Sequence, residues 1–443
     1  MEVDLSGHYT KGRILRTVWP SMIMLVVTSI YCIVDGLFIS NFTGTTAFAA
    51  VNLITPPLMI VEALGLMVGT GGSALIAKTF GEHNKRLARK IFSMLTKFAL
   101  ILGTICGALL IIFMRPIGIL LGGSGEMLDI AVTYGRIYSI GMPFLILQMA
   151  YQSFYMTSEK PHLGLKAEIM CGVINIVFDA LFVAIFGWGV IGAAFATLLS
   201  IIFGGLFPLL YYSSRRNNSI LHLVKAKFDW KLIHQANMNG LSEMVTNIAL
   251  SLVSICYNWQ LLRYAGEDGV AAYGIMMYVG YIFSAMMQGY TFGIGPVVSY
   301  NYGAKNYGEL RSLLRKNLYL ITIMDLLICI LCQSLARPLA EMFVGYDQSL
   351  VEFTTRSFRI YSSAFLLWGF SYFGSAFFTA LNNGPVSAIL AFSRLLIFQM
   401  SCVWILPLIF GINGIWFSWP LAEIFTIILT FSIIFKYRKQ YGY

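Results

Sequence analysis

About twelve stretches of roughly 20 apolar residues run along this chain, at 14–40, 52–77, 93–113, 133–157, 164–187, 190–212, 236–262, 271–298, 317–335, 356–381, 387–410 and 414–435. That length matches the hydrocarbon thickness of a bilayer. In lipid a backbone N–H or C=O has no water to pair with, so each segment must satisfy its own. The expectation is an all-α integral membrane protein with twelve transmembrane helices. Composition agrees: 58% of residues are hydrophobic, 11% are charged and the mean hydropathy is +0.75, too little charge to coat a soluble body of 443 residues. The first span carries Asp35 and no small-residue cleavage pattern follows it, so it reads as a retained span, not a signal peptide.

The second half repeats the first. Arg115-Pro116 returns as Arg337-Pro338, an offset of 222. Gly44, Ala49, Ala50, Gly71, Gly81, Asn84 and Arg89 return at the same offset as Gly266, Ala271, Ala272, Gly293, Gly303, Asn306 and Arg311. Arg136-Ile137-Tyr138-Ser139 returns as Arg359-Ile360-Tyr361-Ser362, and Gly189/Gly192 as Gly411/Gly414. Six spans per half give the halves one topology. They are expected as two six-helix bundles related by a pseudo-twofold along the membrane normal, with a substrate path between them. The expected division is 1–212, an N-terminal lobe; 213–235, a cytoplasmic linker; and 236–443, a C-terminal lobe. The linker is basic and holds Phe228 and Trp230, which suggests an amphipathic helix on the membrane surface.

Positive charge sets the orientation. Lys11, Arg13 and Arg16 precede span 1, and Lys78, Lys85, Arg86, Arg89 and Lys90 flank the 2–3 loop. Arg215, Arg216, Lys225, Lys227 and Lys231 lie between the halves. Lys305, Arg311, Arg315 and Lys316 follow span 8, and Lys436, Arg438 and Lys439 close the chain. The opposite loops are neutral or mixed, with Glu126, Asp129, Glu267, Asp268, Asp347 and Glu352. Both termini are therefore expected in the cytoplasm, in a multi-pass protein of the cytoplasmic (inner) membrane. The net charge of +10 is then an orientation signal, and no nucleic-acid partner is expected. The seven cysteines all lie in apolar spans, so neither disulfides nor metal ligation is expected, and Cys329/Cys332 has no redox context. The five histidines fall in tails, loops or span ends. No nucleophile motif, metal cluster or catalytic loop stands out, so the chain is not expected to be an enzyme.

A carboxylate inside a span is costly unless paired, protonated or wet, so each is a functional candidate. These are Asp35, Glu62, Asp179, Glu243, Asp325 and Glu423. Asn175 stands four residues before Asp179, which puts both on one helix face. A carboxylate beside an amide oxygen is part of an oxygen cage fit for a proton or Na⁺. Thr197, in the small-residue stretch Gly192–Thr197 of the next span, offers a hydroxyl, and Asp35 a second carboxylate. Two nearby carboxylates in apolar surroundings favour sharing a proton or cation over both standing ionised. Otherwise Asn175 and Asp179 satisfy one another in a helix interface. Pro20 removes a backbone hydrogen bond within span 1, either as a hinge or as an ordinary membrane proline. Glu243, after Gly240-Leu241-Ser242, is a second cation or substrate anchor or a span-end residue. Glu62, Asp325 and Glu423 are left to pair with Arg394 or face water. Some of the abundant aromatic and Met residues are expected to line a cavity for flat cations.

Val34-Asp35-Gly36, Gly44, Ala49-Ala50, Gly71, Gly81, Tyr134, Gly141-x-Pro143 and Asn175-x-x-x-Asp179, on twelve spans in two sixes, resemble the multidrug and toxic compound extrusion (MATE) family over essentially the whole chain. The likeness is greatest to its bacterial branch with an ion site in the N-terminal lobe. There the network uses acids of spans 1 and 5, an Asn and a Thr, positions matched by Asp35, Asp179, Asn175 and Thr197. Tyr134 matches a tyrosine of that network, Gln152 stands near an asparagine of relatives, and Pro20 matches a proline whose span bends in some members. Another branch uses carboxylates of spans 7 and 10. Glu243 could match the first, but span 10 here has no Asp or Glu.

The resemblance implies an antiporter that expels organic cations or drugs in exchange for H⁺ or Na⁺ by alternating access. It implies no cofactor beyond the coupling ion and a monomer in the bilayer. The alternative in the same superfamily is a lipid-linked precursor flippase. That would call for several cavity arginines, and mid-span arginine is nearly absent apart from Arg394. A major-facilitator transporter is a second alternative, but Gly81–Lys90 resembles its 2–3 loop signature only in charge. At the 222 offset, Asp35, Asn175, Asp179 and Thr197 meet Tyr257, Ile397, Ser401 and Trp419. The coupling ion is therefore expected in one lobe only.

Overall fold

The structure is a computed structural model and describes residues 4–214, 216–345 and 347–443. Arg215 and the side chain of Glu267, counted above among the loop charges, lie outside the described residues. The first half forms Lys11–Thr43 (α1), Thr45–Gly81 (α2), Lys85–Leu120 (α3), Gly125–Ile140 (α4), Met142–Thr157 (α5), Pro161–Ile185 (α6) and Gly189–Ser213 (α7). The second forms Trp230–Gly266 (α8), Asp268–Gly303 (α9), Tyr307–Val344 (α10), Gln348–Ser362 (α11), Phe365–Ala380 (α12), Gly384–Phe410 (α13) and Ile412–Tyr441 (α14). Ten of these are long and apolar enough to cross a membrane alone, and α4 and α5 make an eleventh crossing bent by 61°. Their counterparts α11 and α12 complete the pseudo-symmetric dozen.

The spans expected at 133–157 and 356–381 are each built of two helices: α4 and α5 meet at the 61° bend, and α11 and α12 are separated by a break at Ser363 and Ala364. The α4 helix starts at Gly125 and ends at Gly141, where Pro143 in the first turn of α5 supplies no N–H to continue it. The polar turns around Glu126 and Arg356 hid both helix starts from a search for apolar runs.

The repeat is written in the helix boundaries. Asn84 and Asn306 are the N-caps of α3 and α10, accepting from the amides of Leu87 (3.1 Å) and Glu309 (3.2 Å). Gly44 and Gly266 both take positive φ, at the ends of α1 and α8, and Gly189 and Gly411 do so at the starts of α7 and α14.

The linker is not an amphipathic helix. Among its described residues no helix forms before Trp230. It lies as a strap on α3, which supplies the bonds a helix would have made internally. The Val224 amide donates to Ser93 Oγ (2.8 Å), and Arg89 Nε donates to the Ile220 carbonyl (3.0 Å). Leu221 is fully buried, anchoring the strap, and Asp229 then caps α8.

Two large hydrophobic cores form, beside a small cluster around Ala340 and Val351, and the first helix of each half is shared between the large ones. Ile14, Val18 and Met22 of α1 pack into the C-terminal core, while Met24, Leu25 and Ile39 pack into the N-terminal one. Helix α8 reciprocates, with Ile233 and Ala236 in the N-terminal core and Val253, Tyr257 and Leu261 in its own. Glycines permit the crossing. A Cβ on Gly71 would stand 1.9 Å from the Ala236 carbonyl oxygen, one on Gly81 2.0 Å from that of Tyr300, and one on Gly303 2.0 Å from that of Lys78. On α9, a Cβ at Gly289 would come 2.5 Å from Met22 Cα. These close approaches lie toward the face that holds both termini, where His8 meets Glu309 (2.6 Å) and Asn383 donates to Tyr441 (2.8 Å). At the other end Gly36, Gly44, Gly274 and Gly280 have nothing within 4 Å. The lobes are thus in close contact toward the terminal face.

Candidate functional site

Helix α6 holds Asn175 and Asp179 one turn apart, 1% and 0% exposed. At Ala180–Ile185, directly after Asp179, its backbone widens into π-helical turns, an irregularity frequent at functional sites. Helix α1 can lie against α6 because Gly172 faces the Tyr31 ring, where a Cβ would already be 3.1 Å away. This brings the Asp35 carboxyl up to both Asp179 and Asn175. Tyr134 of α4, 5% exposed, faces the two carboxylates and Thr197 of α7. Thr197 Oγ1 also donates to the Ala193 carbonyl (3.0 Å), which leaves its lone pairs available. Five sequence candidates from four helices therefore share one pocket.

Four buried oxygens of this cluster are acceptors without donors. Asp35 Oδ1, Asn175 Oδ1 and both Asp179 carboxyl oxygens receive no hydrogen bond from the protein. Unpaired acceptors are costly inside a membrane. Asn175 and Asp179 do not satisfy one another, which was the bland reading of their spacing. A set of carboxylate, amide and hydroxyl oxygens suits a proton or a small hard cation.

Two other candidates fall elsewhere. Pro20 is buried inside an unbroken α1, 15 residues before Asp35, which is about 22 Å along the axis. It sits at the α1–α9 crossing and not in the cluster. Gln152 binds a different acid: its Nε2 donates to Glu168 Oε1 (3.3 Å), while Gln148 Nε2 donates to Glu168 Oε2 (3.1 Å). Thr28 Oγ1 lies 3.4 Å from the same oxygen. Glu168, 2% exposed, was missed by the sequence reading, although it stands inside span 5. The spacing of Gln148 and Gln152, one turn apart on α5 and facing inward, was the available signal. A Cβ on Gly204 would meet Gln148 Cδ at 2.5 Å, so glycine there makes room for this arrangement.

Glu243 of α8 is 7% exposed and lines a cavity of about 30 Å³ between the lobes, with Thr70, Ser73 and Ser153 on one side and Thr291 and Thr379 on the other. That holds about a water, as expected at a closed floor. Its Oε2 accepts from Tyr372 Oη (3.4 Å). Behind it lies a buried charged group at the centre of the C-terminal lobe. Arg394 (4% exposed) sits in the π-helical turns Ser393–Gln399 of α13, with its guanidinium carbon 5.2 Å from the Tyr372 ring centroid. It interacts with both Glu243 and Glu423. Glu423 accepts from Trp419 Nε1 (3.1 Å), and Asp325, near Glu423, accepts from the Gly369 amide (3.1 Å).

Two pseudo-symmetric six-span lobes, a pair of buried acids in one and a cleft between them, define a secondary transporter. A family model, MatE, matches residues 20–181 and again 244–405, once in each lobe, and the chain belongs to that family. Among curated relatives, the multidrug export protein MepA of Staphylococcus aureus (strain NCTC 8325 / PS 47) is 23% identical over 424 residues, covering 95% of this chain and 92% of that one. A structure described as MATE in complex with MaL6 superposes with a TM-score of 0.92 at 22% identity, covering 99% of this chain and 98% of the other. One described as the outward-facing conformation of a multidrug resistance MATE family transporter of the MOP superfamily gives 0.90 at 23% identity, covering 99% and 97%.

Proposed function

We propose that this protein is a multidrug efflux antiporter that exports organic cations in exchange for H⁺ or Na⁺. Support comes from its family, from the MepA relatives and from the four donorless oxygens of Asp35, Asn175 and Asp179; these oxygens carry the reading. A coupling ion bound there neutralises the pair. Thr197 and Tyr134 complete its shell, and Glu168 with Gln148 and Gln152 forms a second acidic station in the same lobe. Helix α1 joins ion to substrate: it carries Asp35 at one end and packs into the opposite core at the other. Ion binding that changes α1 packing lowers affinity for the exported cation, and by linkage the cation lowers affinity for the ion equally. The terminal face is the cytoplasmic one, the protein works as a monomer in the inner membrane, and the arrangement closed at that face is the outward-facing state.

The test uses everted vesicles that take up a cationic dye from the medium, with outward Na⁺ and proton gradients imposed separately. Asp35→Asn and Asp179→Asn should each lose ion-driven transport while keeping wild-type thermal stability. Retention of coupled transport by both variants would remove the N-terminal site from the mechanism, and the gradient that drives wild type names the ion.

A further inference from the structure

Three of the four charged side chains around the C-terminal group are acids, so the arginine is outnumbered. Arg394 lies inside a membrane-spanning helix, ten residues into α13, about 15 Å from its start. It is 4% exposed, yet its Nε and Nη1 have no acceptor. Glu423 Oε2 and Asp325 Oδ1 likewise have no donor. A buried arginine placed for stability forms a bidentate fork with a carboxylate. Here the guanidinium instead stacks beside Tyr372, between Glu243 in front and Glu423 behind. Its position is that of a cation in an aromatic and acidic pocket. The Trp368, Phe365 and Trp419 rings continue that wall, with Trp368 5.7 Å from Tyr372 and Phe365 5.0 Å from Trp419.

We infer that Arg394 is a tethered cation that sets the charge selectivity of the pocket at Glu243. It occupies one unit of the negative field, so the pocket accepts a singly charged organic cation and disfavours a doubly charged one. The cation approaches Glu243 from the inter-lobe cleft and takes over that carboxylate, while Arg394 keeps Glu423. No covalent step is involved. The inference rests on the reading as an exporter of organic cations and adds a rule for which cations it carries.

The test measures dissociation constants at pH 8 for tetraphenylphosphonium, a permanent monocation, and methyl viologen, a permanent dication. Removing one positive charge near the bound ligand favours each ligand charge by about tenfold at the effective dielectric of a partly buried site. Arg394→Gln should therefore improve methyl viologen binding about tenfold more than tetraphenylphosphonium binding. Arg394→Lys, which keeps the charge, should leave the ratio of the two within about threefold of wild type. The double variant Arg394→Gln/Glu243→Gln should bring the ratio back toward wild type, since the acid released by the first change is gone. Parallel shifts of both probes in Arg394→Gln, or equal losses in the Gln and Lys variants, would make Arg394 a strut and overturn the inference. If wild type binds neither probe, the export reading itself fails and takes this rule with it.

Discussion

Replacing Gly71 by alanine puts a methyl group where α2 of one lobe touches α8 of the other. The new carbon would lie 1.9 Å from the Ala236 carbonyl oxygen and 2.4 Å from the Gly240 nitrogen, while ordinary contact begins at 3.4 Å. The helices must therefore separate by about 1.5 Å, the difference between 3.4 and 1.9. Both obstacles are backbone atoms, so no side chain can swing aside. Overpacking of this kind costs about 1–3 kcal/mol. The cost falls on the arrangement that is shut at the terminal face, and it is relieved when that face opens. The equilibrium between the two arrangements should shift by about 5- to 150-fold. Spin labels at Arg86 and Arg311, exposed in the first turns of α3 and α10 at the terminal face, would report this by pulsed electron resonance, with exposed Cys32 replaced by serine. The expected result is a longer distance component in Gly71→Ala that is minor or absent with glycine. An unchanged distribution, in a variant that unfolds at the wild-type temperature, would refute the role given to this contact.

Other expectations follow from single side chains. Asn175→Ala removes one neutral oxygen from the proposed ion shell and should weaken coupling-ion binding about tenfold, near the value of one hydrogen-bond-strength contact; ion-induced change in tryptophan fluorescence measures it, and an unchanged affinity would take Asn175 out of the shell. Glu168→Ala strands the amides of Gln148 and Gln152 in the core and should cost about 1–3 kcal/mol for each; Glu168→Gln should cost less, and thermal unfolding in detergent separates the two. Asp347 caps α11, and its hydrogen bonds to the Ser349 hydroxyl and to the Leu350 and Ser349 amides hold its carboxyl below the ordinary 3.8. A depressed carboxyl stabilises above its unfolded value, and the effect is lost as pH falls through the folded one. Amide exchange at Ser349 and Leu350 should therefore quicken in Asp347→Ala at pH 7, and equal rates in the two proteins would discount the cap.

Much of the architecture was legible in the sequence because lipid imposes one rule on every backbone group. Apolar runs marked the helices, and the 222-residue repeat marked the turns that both halves share, such as Asn84 with Asn306 and Gly44 with Gly266. The bend at Gly141 and the break at Ser363 were not legible, because each joins a polar turn to an apolar one and only the apolar part was counted. The linker misled for a related reason: its charges fit a surface helix, but Ser93 and Arg89 of a distant helix take its hydrogen bonds. Asp35 could be joined to Asn175 and Asp179 through short-range spacing and family likeness. The grouping of Glu243, Arg394 and Glu423 depends on how α8, α13 and α14 cross, and no spacing within one helix encodes that. Gln152 was placed in the supporting network through an asparagine of relatives, while its amide contacts Glu168.

The exchange of α1 and α8 between the two cores means that neither half of the polypeptide is a self-sufficient folding unit. A chain ending before the linker would lack Ile233 and Ala236 and leave a hole in its own core, while the apolar face of Ile14, Val18 and Met22 would find no partner. During synthesis the first helix must therefore wait, half packed, until α8 and α9 of the second lobe have entered the bilayer. Cutting the gene in two should yield a working protein only when both pieces are made together in one membrane.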